Sequence, residues 1–318
     1  MELPLALREA MEQQLYGKQH EQMIHDAQAL SLRYRTQGGR SERLLKGEHE
    51  AAAYAIARMP ATFGAVFSCL QQTLEATVIL PETLLDAGAG TGAASWAADS
   101  LLELNSITCL ERESAMMKIG KAMMEQGSDA LRQAKWIQKD LVQDETCEHA
   151  DLVIAAYVLN EMTARDRLIA VEKLWSATGQ ILLLIEPGTP AGFSGLMEVR
   201  KLLLQTGAYI VAPCPLNEAC PKTEDDWCHF SCRIARSRLH RQMKGGEAPF
   251  EDEKFCYLAL SRHEGSAANA RVLRHPQIHS GHVTLEVCTS GGIQSVGLSK
   301  KDGDSYRKAR KVTAGDSF

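Results

Sequence analysis

The densest chemistry in the first half of the chain is Leu84-Leu-Asp86-Ala-Gly88-Ala-Gly90-Thr91-Gly92. Glycines at alternate positions let a backbone approach a ligand closely and turn sharply. The helix start expected behind them offers unpaired N–H groups to a nucleotide-like ligand. Two ligands fit the spacing. With Ala93 in third place, the loop matches the dinucleotide pattern G-x-G-x-x-A. Asp86, two residues before the first glycine, instead suits the cationic amino end of S-adenosylmethionine better than a pyrophosphate. Glu111 follows Gly90 by 21 residues and can accept from both ribose hydroxyls. Asp140 falls where an adenine amino group would reach. The expected cofactor-binding set is therefore Asp86, Gly88, Gly90, Thr91, Gly92, Glu111 and Asp140.

A second cluster is sulfur. The chain has nine cysteines. The number is odd and the N-terminus carries no secretory pattern, which argues against a disulfide framework. Cys69, Cys109 and Cys147 sit among apolar neighbours and read as small core residues. The other six fall in the last third, from Pro213-Cys214 through Cys220-Pro221 and Trp227-Cys228-His229 to Cys288. No C-x-x-C knuckle is present. Thiolates in proline-flanked loops still read as ligands for a soft metal, either tetrahedral zinc or an iron–sulfur cluster. Cys232, Cys256, Cys288 and His229 all compete for the fourth position. Cys232 is placed one helical turn after Cys228, Cys256 in an apolar strand, and Cys288 at a strand end before a Gly-Gly turn.

The third feature is charge. The whole chain is net −5, yet residues 229 to 311 hold 15 lysines and arginines against 8 acidic residues. An acidic front and a basic back point to a polyanionic partner. Arg233, Arg236, Arg238, Arg241 and Lys244 form one dense stretch, expected to share a broad face if helical. Lys300 and Lys301 open a second, in the tail. Phosphate contacts of this kind give affinity without sequence readout. Aromatic residues are only 6%, so recognition of a folded RNA by shape is favoured over base stacking.

The elements that must position these groups can be read from the pattern. Length (318 residues), 45% hydrophobic and 24% charged residues exclude wholesale disorder. No apolar run reaches the roughly 18 to 20 residues of a bilayer span, and the Glu-rich start suits neither a signal nor a transit peptide, so the expected compartment is the cytoplasm. Residues 1–80 read as a helical region, with Arg33, Arg35, Arg40 and Arg43 as a lid or nucleic-acid contact or simply a solvated face, and with Pro60 opening a new helix. Residues 81–210 alternate strands (84–87, 107–110, 136–138, 151–157, 180–185) with helices (93–104, 115–125, 163–177, 195–204). That order means a parallel sheet covered on both faces, with ligands at the carboxyl ends of the strands. Residues 211–318 form a cysteine-rich, basic region with a hairpin at 282–288 and 292–298.

The catalytic end is less explicit. Asn160 and Glu161 follow the fourth strand in Ala155-Ala-Tyr157-Val-Leu-Asn160-Glu161 and either touch substrate or cap the next helix. The Asn/Asp-Pro-Pro-aromatic sequence of amino-group methyltransferases is absent, and so is a nearby cysteine nucleophile.

Asp86-x-Gly88-x-Gly90-Thr91-Gly92 is similar to the first motif of the class I S-adenosylmethionine methyltransferases. Along nearly the whole chain, Ala57-Arg58-Met-Pro60-Ala-Thr62, Glu186-Pro-Gly-Thr-Pro-Ala-Gly-Phe193, Asp226-Trp-Cys-His-Phe230, Arg236-Ser-Arg-Leu-His240 and Glu251-Asp-Glu-Lys254-Phe-Cys-Tyr257 follow in order. Together they resemble the methyltransferase-like proteins of the small ribosomal subunit found in mitochondria and bacteria, here the bacterial branch. The resemblance implies an α/β class I methyltransferase fold (Rossmann-like, with a parallel-rich sheet), a helical N-terminal extension and a small C-terminal region containing β-structure. It implies the small ribosomal subunit and its rRNA as partners and a role in translation; with the loop reading above, S-adenosylmethionine is the expected cofactor, and a monomer is the expected state. It also implies a four-cysteine 4Fe-4S site on Cys214, Cys220, Cys228 and Cys288. Three functions remain open at this point: rRNA methyltransferase, non-catalytic assembly factor, or zinc-bearing protein methyltransferase.

Overall fold

The fold is that of a computed structural model, which describes residues 1–14, 25, 29, 47–145, 148–222, 225–244, 246–265 and 268–318. Arg33, Arg35, Arg40, Arg43 and Cys147 lie outside the described residues.

Chain order runs α1 (Leu5–Gln13), α2 (Glu48–Glu75), β1 (Thr83–Ala87), α3 (Ala93–Asp99), β2 (Ser106–Glu111), α4 (Ser114–Met124), α5 (Asp129–Arg132), β3 (Lys135–Gln138), β4 (Ala150–Ala156), α6 (Ala164–Ala177), β5 (Thr178–Pro187), α7 (Pro190–Gln205) and β6 (Tyr209–Ala212). It continues through β7 (Phe230–Ala235), α8 (Arg238–Lys244), β8 (Phe250–Ser261), β9 (Ala270–Val272), β10 (Gln277–His279), β11 (His282–Thr289), β12 (Gly292–Ser299) and α9 (Gly303–Ala309). The main sheet has the order β3-β2-β1-β4-β5-β8-β6, with β7 also pairing β8. Strands β1 to β5 pair in parallel. Strand β8 runs antiparallel to β5, β6 and β7. This is the expected class I methyltransferase architecture: parallel strands joined by helices, with one antiparallel strand, β8, inserted between β5 and β6.

Alternation along the buried strands builds two cores. Leu84 of β1 and Leu183 of β5 face the layer that includes α2, α3 and α4. Leu85 and Leu184, one residue on in each strand, face the layer of α6 and α7. The sheet takes in β8, at residues 250–261, which the sequence groups with the cysteine-rich region. A second, four-stranded sheet of β9 to β12 packs on α9 through Val272, Leu285, Val287, Tyr306 and Ala309.

Several expected elements differ. Pro60 does not open a helix; it lies inside α2. Ala55, Ile56, Met59 and Phe63 around it are fully buried, and that packing holds the turn in which proline supplies no N–H. Helix α2 is long and apolar enough to cross a membrane by length and composition, but 72% of its apolar window is buried inside the protein, so it is a core helix. Helix α3 ends at Asp99 rather than 104, where the Ser100 hydroxyl donates to the Trp96 carbonyl at 2.8 Å. Cys228 and Cys232 do not share a helix. Residues Phe230 to Ala235 form strand β7, whose burial alternates in and out, so the period is two.

Candidate functional site

At the carboxyl ends of β1, β2, β3 and β4 lies a cleft of about 350 Å³, open to solvent. Gly88, Gly90, Thr91, Glu111, Asp140 and Glu161 all line it. Gly88, Gly90 and Gly92 have φ of +73°, +57° and +88°, in the region that favours glycine. A Cβ on Gly88 would stand 2.4 Å from Val158 Cγ2, whereas one on Gly90 would meet open space. Gly88 is therefore fixed by packing and Gly90 by the backbone turn beside the cleft.

Each carboxylate has a defined task. Glu111 is 9% exposed and closes the loop from below. Its Oε2 accepts from Gly90 N and its Oε1 from Glu113 N, both at 2.7 Å. Burial raises its pKa against those bonds. Asp140 Oδ1 accepts from Val142 N at 2.8 Å and Gln143 N at 3.1 Å, which fixes the turn after β3. Asp86 is not among the residues that line the cleft. It is 2% exposed, and its Oδ2 accepts from Ser95 N at 3.0 Å and Ser95 Oγ at 2.7 Å. It thus ties the loop to α3 rather than facing a ligand. Burial pushes its carboxyl up to about 6.

The two residues expected at the catalytic end separate. Glu161 lines the cleft, and burial lifts its carboxyl to about 7. Asn160 does not line it. The backbone N–H groups of Leu159 and Asn160 donate to Glu186 Oε1 and Oε2 at 2.9 and 3.1 Å. The buried Glu186, with its carboxyl raised to about 8 by burial, anchors that turn.

Tyr54 and Tyr157, which no motif marks in the sequence, also line the cleft. Tyr157 has φ +60°, a strained value for a side chain of its size, at the end of β4. Its hydroxyl donates to Glu253 Oε1 at 2.9 Å, and Arg58 Nη2 stands 3.4 Å from the same oxygen. Arg58 and Glu253 lie in two of the quoted motifs, so the signal was present but carried no role.

The cysteines converge elsewhere. Cys214, Cys220, Cys228 and Cys288 line one small cavity of about 20 Å³, between α7, the 213–222 loop and the second sheet. Burial raises the Cys214 thiol to about 11, against the pull of Arg200 and with Cys220 and Cys288 adding to the rise. Among the described residues, no three His, Cys, Asp or Glu side chains are arranged so as to hold a metal ion as they stand. Cys232 instead packs near Gly64 of α2, and Cys256 Sγ donates to the Pro187 carbonyl at 3.2 Å. His229 lies against Trp227, with ring centroids 5.5 Å apart.

The dense basic stretch is not one helical face. Arg233 lies on β7 and donates to Asp252 Oδ1 and Oδ2 at 2.6 and 2.7 Å. Arg236, before α8, and Lys244, at its end, both pair with Glu251. Burial of Glu251 opposes ionisation, but His240 and Lys244 hold its carboxyl down at about 2. Arg238, Arg241, Lys300 and Lys301 form no ion pair with another described residue. Four of the seven expected RNA-contacting residues thus form no ion pair among the described residues.

A family model described as mitochondrial small ribosomal subunit Rsm22 matches residues 48–318. The chain belongs to the Rsm22 family. A human relative in this family's company, the mitochondrial ribosome assembly protein METTL17, is 29% identical, with 83% of this chain and 61% of the relative covered. The Rsm22-cox11 tandem protein 2 of Schizosaccharomyces pombe, also mitochondrial, is 27% identical, with 52% of this chain and 29% of its own length covered. This Rsm22-family chain therefore spans less than two thirds of the length of either relative. Among solved structures, the magnesium protoporphyrin IX methyltransferase of Synechocystis has a TM-score of 0.43 and 12% identity over 75% of this chain and 97% of that one. The N-methyltransferase NodS of Bradyrhizobium japonicum has a TM-score of 0.42 and 13% identity over 63% and 86%. Such likenesses add nothing to the strand order, on which the fold assignment rests.

Proposed function

We propose that this chain binds S-adenosylmethionine in the cleft and acts on the small ribosomal subunit, through its rRNA, during assembly. The observation that carries the cofactor reading is the Gly88–Gly90 turn. It puts bare backbone beside an open cleft, with Glu111 and Asp140 on the next two strand ends. When bound, S-adenosylmethionine supplies an electrophilic methyl group. Gly88, Gly90 and Thr91 bind it by backbone approach, Glu111 holds ribose hydroxyls, and Asp140 serves the adenine side. Asp86 acts at one remove, by fixing the loop on α3. Glu161 is the group in the cleft able to accept a proton near neutral pH. Kinship to proteins named for the small subunit and for ribosome assembly supports the partner. Arg238, Arg241, Lys300 and Lys301 are the phosphate contacts in this reading, and the chain acts as a monomer in the cytoplasm.

The same proposal includes a metal centre, a 4Fe-4S cluster with zinc as the alternative, on Cys214, Cys220, Cys228 and Cys288. Its support is the chemistry of the donor set: four thiols and two buried guanidinium groups share one cavity. Bound there, a cluster supplies cross-linking of the 213–228 loops to the second sheet.

A non-catalytic assembly role is the second reading, favoured by Asn160 turning away from the cleft and by the absent Pro-Pro sequence. One experiment decides between them. Anaerobically purified protein is incubated with labelled S-adenosylmethionine and immature small subunits from cells lacking it. Label in rRNA, lost in Glu161→Gln, is the result expected of an enzyme. Co-sedimentation without label is the result expected of the second reading. Failure to co-sediment contradicts both.

A further inference from the structure

A separate recess of about 180 Å³ lies between α1, α2 and the turn from β7 into α8. None of its lining residues also lines the cleft or the cysteine cavity. Room for a single water needs only about 10 to 15 Å³. Part of the wall is apolar: Leu3 and Met11 are 9% and 5% exposed, and Pro60 is buried in α2. The polar part is of both kinds. Arg8 brings donors, and Glu2 and Glu12 bring carboxylate acceptors. The Ser237 hydroxyl accepts from His240 N at 3.1 Å, so its own proton is left to donate. His240 is the decisive group. It is 2% exposed, and its Nδ1 is buried with no hydrogen-bond partner among the described residues. Its Nε2 stands 3.1 Å from Glu251 Oε2. A carboxylate there favours the proton on Nε2, which leaves Nδ1 of the neutral ring as an acceptor. A buried acceptor without a donor costs stability. A ligand N–H in the recess supplies the donor.

We propose that this recess holds one unstacked nucleobase carrying an amino group, with RNA as its source. The choice of RNA rests on the rRNA reading above. A bare anion fits poorly, because Glu2 and Glu12 repel it and Nδ1 offers it a lone pair. A purely apolar group leaves Nδ1 without a donor. A nucleobase meets both demands. Its flat faces suit Leu3, Met11 and Pro60, and its edge combines N–H donors with oxygen and ring-nitrogen acceptors. The amino groups of adenine, cytosine and guanine each bring two donors to the acceptors here, and uracil has none. Placement agrees. Arg238 and Arg241 follow in the next turn, where Arg241 N donates to Ser237 O at 3.1 Å. Neither forms an ion pair among the described residues, so both can grip the phosphates that flank the base. Splayed bases of single-stranded RNA are read along their edges in this way. The recess thus adds base readout to a surface that otherwise offers only phosphate contacts.

The test uses the full chain with carbon-13-labelled methionine methyl groups, read by nuclear magnetic resonance. Met11 reports the recess, and Met116 and Met162 report the cleft. The Met11 signal is assigned with Met11→Leu. AMP, CMP, GMP, UMP and inorganic phosphate are titrated in turn. The Met11 signal is expected to move with at least one of the three amino-bearing nucleotides, at a concentration about tenfold below that needed for UMP. It is expected to stay still with phosphate. Ala235→Leu fills the recess and is expected to abolish the Met11 response and to weaken co-sedimentation with immature small subunits about tenfold. Glu2→Ala combined with Glu12→Ala changes two exposed positions and keeps the test open if the filled variant does not fold. It is expected to lose the preference over UMP. A Met11 signal that no nucleotide moves overturns the proposal. So does one moved equally by UMP or by phosphate, or a preference that survives loss of both carboxylates. Co-sedimentation of wild type with Met11 silent contradicts the recess alone. A Met11 response without co-sedimentation contradicts the rRNA reading and assigns the recess to free nucleotides.

Discussion

Glu161 illustrates how much one side chain's surroundings decide. Its carboxyl is raised to about 7 by burial. A raised pKa means the folded protein binds that proton more tightly than the unfolded chain. The associated stability is present below the ordinary glutamate range and is lost as pH rises through about 7. Glu161→Gln is therefore expected to match wild type at pH 4 and to exceed it at pH 8, by on the order of 1 to 3 kcal/mol, in thermal melts of the ligand-free protein. Equal melting temperatures at pH 8 would contradict the burial. Asp86 teaches a different lesson. Its type and position were legible in the sequence, but its direction was not, because the partner that turns it under the loop, Ser95, lies nine residues on in α3. Asp86→Ala takes the carboxylate acceptor from the buried Ser95 N–H and leaves the Ser95 hydroxyl only Cys109 Sγ, at 3.4 Å. We expect a loss of about 1 to 3 kcal/mol, read by denaturant unfolding.

Among the elements, the periodicity of residues 81–210 sufficed to place β1 to β5 and the helices between them, since apolar strands and amphipathic helices differ in period. Strand β7 escaped because Cys232 and Arg233, adjacent at its centre, hide the alternation that burial reveals. Pro60 misled because a local rule about proline yields to tertiary packing. That packing is tight where α2 crosses β7: a Cβ on Gly64 would stand 2.6 Å from Ile234 Cγ1 and 3.1 Å from Cys232 Sγ. Gly64→Val is expected to force α2 off the sheet and to cost about 1 to 3 kcal/mol, measured by thermal melting. A variant that melts with wild type would show that α2 does not need this close approach. The turn after β4 has a similar dependence on Glu186, which takes two backbone N–H groups.

For the whole molecule, chain order concealed the most. Strand β8 enters the sheet between β5 and β6 from residues 250–261, far beyond the alternating segment. No local pattern announces an antiparallel partner so distant in sequence. The cysteine site has the same character. Cys214, Cys220 and Cys228 come from loops beside the main sheet and Cys288 from the second sheet, so only the fold assembles them. Under the proposal above, a centre bound there would tie the two sheets together. Removing the metal is expected to speed amide exchange in β9 and β11 at least tenfold while leaving β1 and β4 unchanged. Uniform exchange across both sheets would contradict that linkage.

Whether the Gly88–Gly90 turn holds S-adenosylmethionine is decided by calorimetric titration of wild type and Gly90→Ala. A methyl side chain at Gly90 meets no protein atom, so the substitution costs only about 1 to 2 kcal/mol in backbone conformation while placing a carbon beside the cleft. The account expects one S-adenosylmethionine per wild-type chain and at least tenfold weaker binding by a folded Gly90→Ala protein. No binding by wild type, or equal binding by both, would contradict it.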